Sequence, residues 1–417
     1  MSELVLTLRQ PTQVGDRARS DFVLGTHDYL PGTVVRGAFA AAWIAAHGAP
    51  VSGAPSRPRF LRLFEGGVRF GPLFCGAQFM PLSVLGHKYQ PGDRCAVVEY
   101  DRALKDDDPE RCPDCGSPLQ QATGLAEGGS RVRRRTSVAI TASGVARRGQ
   151  LVTRDTLEAG LVFRGTLIAS SPDLLDALAG IGPVRLGGRR TTHGLADAVI
   201  GAGPPPPSAQ RRADGLLVLR LRSPGIFTDD HGRPLRDPGP AELAEVLGCP
   251  ARVVRRWTRW HGVGGWHMAS GLPKPAELAV APGSTYLIET QQPVTDDALT
   301  ALGRRGLGLR RHEGFGDLAP PPVLRPGKLA RDAEARRRKG LLEAVAPLRG
   351  VQVRRPELWG PLLARLAAHA GGDRAATEFL RRMAARSPDA VSGAALTYFL
   401  GLGAGDAAYV ARELSRQ

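Results

Sequence analysis

The sequence predicts an α+β fold made of two related units. Two segments rich in glycine and arginine, residues 186–197 and 307–317, align with one another across a gap of one residue. A short helical pattern precedes each segment, over residues 173–178 in the first copy and 297–302 in the second. A repeat of helix, loop and strand indicates two copies of one structural unit, which disfavours the alternative of two ordinary surface turns.

Each unit is predicted to run in the order strand, helix, strands, helix, strand, which is the order of a ferredoxin-like (RRM-like) fold. The first unit begins with an alternating strand over residues 3–9 and a helix from Thr33 to about Gly48. The second begins with a strand over 215–222, a helix over 241–260 and a strand over 285–289. We therefore predict a first ferredoxin-like domain at 1–202, a proline-rich linker at 203–213, a second ferredoxin-like domain at 214–325 and a helical tail at 326–417.

Composition limits the class of protein. The chain has 417 residues, of which 42% are hydrophobic, as expected for a water-soluble protein of more than one domain. It contains no apolar run near the roughly 20 residues that span a bilayer. Its N-terminal sequence lacks the pattern of a signal peptide, so we expect a cytoplasmic protein without a membrane partner. Lys and Arg number 56 against 40 Asp and Glu, and the net charge of +16 favours a polyanion as partner.

The second glycine segment is the strongest candidate for contact with that polyanion. Gly306, Gly308, Gly314 and Gly316 flank the pair Arg310-Arg311. Glycines interleaved with arginines predict a flexible loop whose backbone N–H groups and guanidinium groups approach a phosphate chain.

A metal site is predicted in residues 49–130, which we interpret as an irregular insertion into the first domain. Cys112 and Cys115 form a Cys-x-x-Cys motif followed by glycine, the signature of a zinc knuckle. A redox pair is the alternative, but the surrounding residues are polar and turn-forming, which favours zinc. Two further ligands are expected from Cys75, His87 and Cys95.

Four segments, residues 28–38, 81–89 with 112–119, 264–279 and 310–317, together resemble one known family. They are similar to the repeat-associated mysterious protein (RAMP) superfamily of CRISPR effector subunits, and most similar to the two-domain subunit of type III systems in its III-D form. The resemblance covers residues up to about 325 at intervals. The helical tail carries no motif of the family.

The resemblance also suggests the ligand set. Similar proteins tend to have a cysteine before the position of Lys88 and a histidine further along, whereas this chain has His87 and Cys95 in the reverse arrangement. The exchange preserves a set suited to tetrahedral zinc, because thiolate and neutral imidazole are both good ligands. We therefore expect His87, Cys95, Cys112 and Cys115 to bind structural Zn²⁺, and Cys75 to be a buried thiol.

The resemblance implies a subunit that caps the 5′ handle end of a CRISPR RNA and contacts the large signalling subunit and the backbone RAMP subunits, with target RNA contacted indirectly. Paired arginines could clamp phosphates, and histidine or aromatic rings could stack on bases. The candidate RNA-binding residues are Arg36, Lys88, Tyr89, Arg189, Arg190, His193, Trp266, Lys274, Gly306, Gly308, Arg310, Arg311, His312, Gly314, Phe315 and Gly316. Trp266 as a core aromatic stays an alternative. The second loop is expected to contribute more than the first, because it alone carries an aromatic, Phe315.

Two other functional classes remain. An endoribonuclease that processes CRISPR transcripts would need a general acid or base, for which His27 is the candidate; no partner residue lies near it in sequence. Slicing of target RNA at Asp28 has no surrounding metal-site pattern. An RNA-binding protein outside CRISPR would share the glycine loops and the zinc knuckle, but it gives no reason for the segment around Trp266.

Overall fold

The computed structural model of the protein describes residues 2–20, 23–76, 78–89, 91, 95–96, 98–105, 107–122, 131–188, 191–267, 271–325, 327–387 and 389–416. The chain forms two compact units. The first contains Met1–Tyr89, Glu99–Cys112 and Pro118–Leu324, and the second contains Gln90–Val98, Pro113–Ser117 and Arg325–Gln417. Both predicted ferredoxin-like regions therefore lie in one compact unit, and the structure is a mixed α+β fold.

The first half of the first unit contains twelve strands and three helices among its described residues. They are β1 (Ser2–Leu8), β2 (Gly15–Ser20), β3 (Val23–Thr26), α1 (Gly32–His47), α2 (Arg57–Phe64), β4 (Val68–Phe70), β5 (Val84–His87), β6 (Glu99–Asp101), β7 (Leu119–Gln121), β8 (Val132–Ile140), β9 (Ala146–Leu157), β10 (Val162–Ala169), α3 (Pro172–Ala179), β11 (Val184–Arg185) and β12 (Leu195–Ala202).

The main sheet of this half has the strand order β11-β12-β1-β10-β4. The alternation in β1 buries every second residue, and Leu4, Leu6 and Leu8 are at most 1% exposed. Helices α1 and α3 pack on this face, and the buried Phe39 and Trp43 of α1 join the same hydrophobic core. The predicted insertion bounds are wrong at their start, because α2 and β4 belong to this layered core and the inserted strands begin only with β5.

The second half contains ten strands and two helices within the described residues. They are β13 (Gln210–Arg211), β14 (Leu217–Arg220), β15 (Phe227–Thr228), β16 (Pro234–Leu235), α4 (Pro240–Leu247), β17 (Ala251–Trp257), β18 (Trp260–Val263), β19 (Trp266–His267), β20 (Leu272–Pro273), β21 (Glu277–Val280), β22 (Thr285–Thr290) and α5 (Asp296–Arg305). Its main sheet has the order β13-β14-β22-β17.

The helix predicted over 241–260 is wrong beyond Leu247. Gly248 adopts a left-handed conformation (φ 74°) and ends α4. The residues that follow include Val253, Val254 and Trp257, which favour an extended chain, and they form β17 against β22. The strand predicted to close this unit is also reduced, since Leu318 forms only an isolated bridge with Leu221.

The two halves nevertheless share one connectivity. In the first sheet the order β12-β1-β10-β4 places the opening strand between the last and the third strand. In the second sheet β14 lies between the Leu318 bridge and β22, with β17 beyond β22. Antiparallel pairing connects each of these neighbours. The internal repeat that the sequence predicts is therefore a repeat of topology.

The second unit is helical over its C-terminal part. Its helices are α6 (Lys328–Val345), α7 (Arg349–Arg354), α8 (Pro356–Ala370), α9 (Arg374–Ala385), α10 (Ala390–Leu400) and α11 (Ala404–Ser415). Their core includes Val345, Leu366, Leu380 and Phe399, each completely buried. None of the helices among the described residues has the length and apolarity needed to cross a membrane.

Candidate nucleic-acid interface and metal centre

The two glycine loops have the same backbone hydrogen bonds. In each loop the N–H of a leucine donates to the carbonyl of a later glycine, and that glycine donates to a proline carbonyl after the first strand. The bonds are Leu186 to Gly194 (2.9 Å) and Gly194 to Pro11 (3.1 Å) in the first loop, and Leu307 to Gly316 (3.0 Å) and Gly316 to Pro224 (2.8 Å) in the second. The repeat is therefore preserved in detail.

The glycines of the second loop are required by packing inside the protein. Gly308 has φ 77°, and a Cβ there would lie 2.4 Å from the carbonyl oxygen of Ile226. Gly316 has φ 61°, and its Cβ would lie 1.6 Å from the carbonyl oxygen of Leu307. Gly306 and Gly314 have equally close neighbours. The prediction of a flexible loop open to a phosphate chain is thus wrong for these positions, which form a packed turn.

Arg310 is neutralised within the protein, contrary to its predicted role as a phosphate clamp. Its guanidinium donates to Glu277 at 2.5 Å and to Glu313 at 2.7 Å, and it lies 4.8 Å above the ring of Phe315. Lys274, another predicted RNA ligand, donates to Glu313 at 3.2 Å. Both cations are therefore occupied by carboxylates of the protein itself.

Glu313 is the centre of this group of charges. Burial by itself would raise the pKa of Glu313, but the hydrogen bond and charge of Arg310, with the charge of Lys274, outweigh burial and hold that pKa at about 2. The carboxylate is consequently ionised at neutral pH and fixes both cations in place.

Phe315 does not offer the predicted stacking surface. Its side chain is 5% exposed and lies in a buried cluster with Ile226, Val263 and Ala279. A ring must be exposed to accept a base, so the expected advantage of the second loop over the first does not rest on Phe315.

The side chains of Arg36 and His312 are also partly engaged by contacts within the protein. Arg36 donates to the carbonyl of Phe64 at 2.6 Å and to Glu65 at 2.5 Å, and so holds the end of α2 instead of facing solvent. His312 is 29% exposed, with its Nε2 4.0 Å from Glu65. Burial, followed by the charge of Arg36, lowers the pKa of His312. The imidazole is therefore neutral at physiological pH.

Other predicted residues are accessible. Trp266 is 58% exposed, which removes the core-aromatic alternative, and Tyr89 is 63% exposed with the ammonium of Lys88 5.6 Å from its ring centre. His193 is half-buried, and its Nδ1 lies 2.8 Å from the hydroxyl of Thr192. The predicted Arg189 and Arg190 lie outside the described residues.

Sequence reasoning missed the most basic exposed element, the hairpin of β8 and β9. We call residues 131–157 the arginine hairpin; it carries Arg131, Arg133, Arg134, Arg135, Arg147, Arg148 and Arg154 against the single acidic residue Asp155. Its signal in the sequence was the charge run 131–135, followed by a glycine turn and a second run at 147–148.

The predicted metal ligands form a cluster. One ligand atom from each of His87, Cys95, Cys112 and Cys115 lies within 4.8 Å of the other three. Two sulfurs on a tetrahedral zinc lie about 3.8 Å apart, so the donor set and its spacing fit such an ion. Within the described residues this is the one group of three or more potential metal ligands, and Cys75 and Asp28 are outside it.

Local structure explains why these ligands meet. His87 ends β5, which pairs with β7 through His87 and Leu119. A bridge between Arg111 and Pro118 closes the turn that holds Cys112 and Cys115. Gly116 in that turn has φ 72°, a conformation that favours glycine. Tight closure of the turn brings both thiol groups to the same side.

His27 lies in a cleft with a second histidine. The rings of His27 and Tyr29 are 5.2 Å apart, and both line a cavity of about 320 Å³ together with His261. His261 could not be recognised as a partner of His27 from the sequence, because it comes from the other half of the unit.

A known family model matches part of the chain. Residues 168–319, less than half of the chain, match the model of the family described as CRISPR-associated protein (Cas_Cmr3). The matched region includes residues 264–279 and 310–317, two of the four segments that resemble the RAMP superfamily of CRISPR effector subunits, and so supports that resemblance. The type III-D form stays a prediction. A comparison with curated protein sequences finds no match.

Several solved structures are weakly similar. A chain of the type III-B Cmr-beta complex bound to cognate target RNA is 10% identical, with a TM-score of 0.42, covering 78% of this chain and 99% of that one. A chain of the Csm3-Csm4 subcomplex of a type III-A interference complex is 13% identical, with a TM-score of 0.34 and coverages of 71% and 96%. The product of a Cas6-related gene from Pyrococcus furiosus is 9% identical, with a TM-score of 0.31 and coverages of 76% and 97%. Likeness at this level shows nothing about what this chain binds.

Proposed function

We propose that the protein is a non-catalytic RNA-binding subunit of a type III CRISPR effector complex. It binds the 5′ handle end of the CRISPR RNA and docks neighbouring subunits, including the large signalling subunit and the backbone RAMP subunits. The family match supports the setting. The observation that carries RNA binding is the arginine hairpin, the most basic exposed element of the described chain.

The arginines of the hairpin differ in their surroundings. Arg134 is bound by Asp155 through two hydrogen bonds of 2.8 and 3.1 Å. Arg133 and Arg135, on the opposite face of the same strand, are exposed and form no ion pair with a described residue. Residues two apart on a strand share a face and lie about 7 Å from one another. The pair therefore presents two exposed guanidinium groups in a row, an arrangement suited to successive contacts along a phosphate backbone.

The other face of the hairpin fits contact with protein. Val138 and Leu151 are directly paired across the strands and are 40% and 51% exposed. Ile140, nearer the turn, is 66% exposed. Apolar side chains grouped in this way mark a surface that is covered in an assembly. We assign the basic face to RNA and the apolar face to a neighbouring subunit.

Two finer structural assignments belong to this proposal. The shared strand order and the two helices of each half support a ferredoxin-like domain in both. The donor set of His87, Cys95, Cys112 and Cys115 supports a structural Zn²⁺ that would hold the knuckle turn and supply folding energy without taking part in a reaction.

Salt-dependent RNA binding tests the role of the hairpin. Fluorescence anisotropy with a labelled single-stranded repeat RNA, at several salt concentrations, should show about tenfold weaker binding for R133Q/R135Q at low salt. The slope of the logarithm of the binding constant against the logarithm of the salt concentration should become less steep by about 1.4, because two phosphate contacts on a single strand are lost.

The matched control is R233Q/R252Q, which removes the same charge from arginines that pair with Asp229 and Glu289 on the surface. If both double variants lose the same RNA affinity, the effect is due to net charge alone, and the hairpin is not part of the RNA interface. If the tagged chain purified from its host carries neither CRISPR RNA nor other effector subunits, the proposed function as a whole is overturned.

A further inference from the structure

A second basic site lies away from the arginine hairpin, beside the second glycine loop. It is a cavity of about 500 Å³ whose lining includes Gly66, Gly67, Arg69, Arg304, Arg305, Arg310, Arg311 and His312. None of the described residues that line it carries a carboxylate. Its volume falls within the ~300–1,000 Å³ usual for small-molecule sites.

Three of its five arginines are already neutralised. Arg69 is bound by Asp317, Arg305 donates to Glu245 at 2.6 Å, and Arg310 is bound by two carboxylates as described above. These side chains form the wall of the cavity and raise its positive potential, but they have little capacity for another anion.

Arg304 and Arg311 differ from the other three. Arg304 is exposed and forms no ion pair with any described residue. The Nη1 of Arg311 is buried and has no hydrogen-bond partner among the described residues. Its nearest carboxylate oxygen, on Glu242, is 3.9 Å away and accepts the N–H of Gly308 at 2.8 Å. The Arg311 side chain as a whole is 35% exposed and lines the cavity, so its accessible part can contact an oxygen-rich anion there.

The charges of neighbouring arginines also favour an anion in this cavity. Burial lowers the pKa of Arg69, Asp317 opposes that effect, and the charges of Arg222 and Arg311 lower it further. The cluster thus contains repelling guanidinium groups that an added anion would stabilise. The C-terminal end of α5, which carries Arg304, contributes only about half a negative charge, less than either guanidinium.

We propose that this cavity is a phosphate-binding pocket in which Arg304 and Arg311 are the ligands. Guanidinium groups bind phosphate oxygens in a bidentate manner, which favours phosphate over a simple carboxylate. The inference rests on the proposed function, in which the phosphate belongs to RNA. It replaces the predicted pair Arg310-Arg311 by Arg304 and Arg311, which are separated in sequence.

The phosphate can come from within an RNA strand or from its end. Binding of one RNA sequence is therefore measured with a 5′-phosphate and with a 5′-hydroxyl. Equal affinity assigns the pocket to an internal phosphodiester, and tighter binding of the phosphorylated form assigns it to a terminal phosphate. In either case R304Q/R311Q should bind at least about tenfold more weakly than the wild type.

The matched control is R305Q, which lines the same cavity but is paired with Glu245. It should change RNA affinity by less than about twofold, the scale of an exposed ion pair. If the double variant fails to fold, the single variant R304Q is tested instead, because Arg304 is exposed and its substitution should not disturb the core. R304Q should weaken RNA binding measurably. Unchanged affinity in R304Q and R304Q/R311Q, or an equal loss in R305Q, overturns the pocket while leaving RNA binding by the chain intact.

Inorganic phosphate separates this inference from the proposed function. Titration of the whole chain with phosphate at constant ionic strength should raise its Tm, and R304Q should reduce the rise. If the wild type binds no RNA but shows this shift, the proposed function fails and the pocket stands. If phosphate produces no shift that depends on Arg304 and RNA affinity is also unchanged by R304Q, the pocket does not exist.

Discussion

Asp317, at the end of the second glycine loop, accepts a hydrogen bond from Arg69 on β4 of the other half of the same unit. Its second carboxylate oxygen accepts from Arg222 at 2.5 Å, and Arg222 also donates to the hydroxyl of Thr166 at 2.6 Å. The carboxylate is 4% exposed. One buried acid thus compensates two buried guanidinium groups, which ties the glycine loop to the first half of the fold.

Substitution D317A should destabilise the protein strongly. It leaves Arg69 and Arg222 buried without a counter-charge, which costs about 3–5 kcal/mol of unfolding free energy. Urea denaturation measures the effect. The control D296A removes an acid that pairs with Arg211 but is 86% exposed, and its cost should be below about 1 kcal/mol. Similar costs for the two variants would refute the role given to Asp317.

Zinc should be present at about one ion per chain and should depend on the four clustered ligands. Elemental analysis of purified protein is expected to show its loss in C112S/C115S, together with a lower Tm. C75S serves as control because Cys75 packs against the hydrophobic core of the first half. Retention of full zinc and full stability in C112S/C115S would eliminate the metal site.

The isolated chain should leave repeat-containing RNA intact, with and without magnesium. The structure places His27 and His261 around one cleft, so both imidazoles require testing. Incubation of wild type, H27A and H261A with the transcript, followed by gel analysis, should give identical patterns. Specific cleavage that disappears in H27A or H261A would establish the ribonuclease alternative instead.

Acid should destabilise the folded protein by protonating Glu313 in the second glycine loop. Its pKa in the folded protein, about 2, is below the ordinary 4.5, so its stabilising contribution is complete above about pH 4.5 and is lost as the pH falls towards 2. E313Q should be less stable than wild type at pH 7, by on the order of 2 kcal/mol, and the difference should shrink at pH 3.

Denaturation of both proteins at the two pH values isolates this group, because the other titrations cancel in the difference. E277Q, at a carboxylate that is 38% exposed, should give a smaller effect. A stability difference for E313Q that is independent of pH would show that Glu313 is not the titrating group.

The repeat and the metal ligands could be predicted from the sequence because both are local patterns. Gly194 and Gly316 occupy equivalent positions in the two loops, each with positive φ and with a leucine carbonyl where a Cβ would lie. Such positions admit only glycine, so they are visible in the sequence. The Cys-x-x-Cys spacing is equally local, and it identified the turn that joins Cys112 and Cys115.

The length of α4 could not be predicted in the same way. The apolar residues over 241–260 fit a helical pattern, but Gly248 ends the helix and β22 supplies a partner for the residues beyond it. The pairing of β17 with β22 provides backbone hydrogen bonds from a distant segment. Tertiary contact therefore outweighed the local periodicity.

The sequence by itself determined which residues carry charge, which carry a ring, and where the chain must turn. Only the tertiary structure decided which of those charges and rings remain available. Arg310 and Arg311 are adjacent in sequence, yet Glu277 from β21 neutralises Arg310 while a nitrogen of Arg311 has no acceptor in the part of the chain that the structure describes. Phe315 is buried because Ile226 and Val263 come to it from other segments. Availability depends on neutralisation and burial, and both are set by residues that are distant in sequence and brought together by the fold.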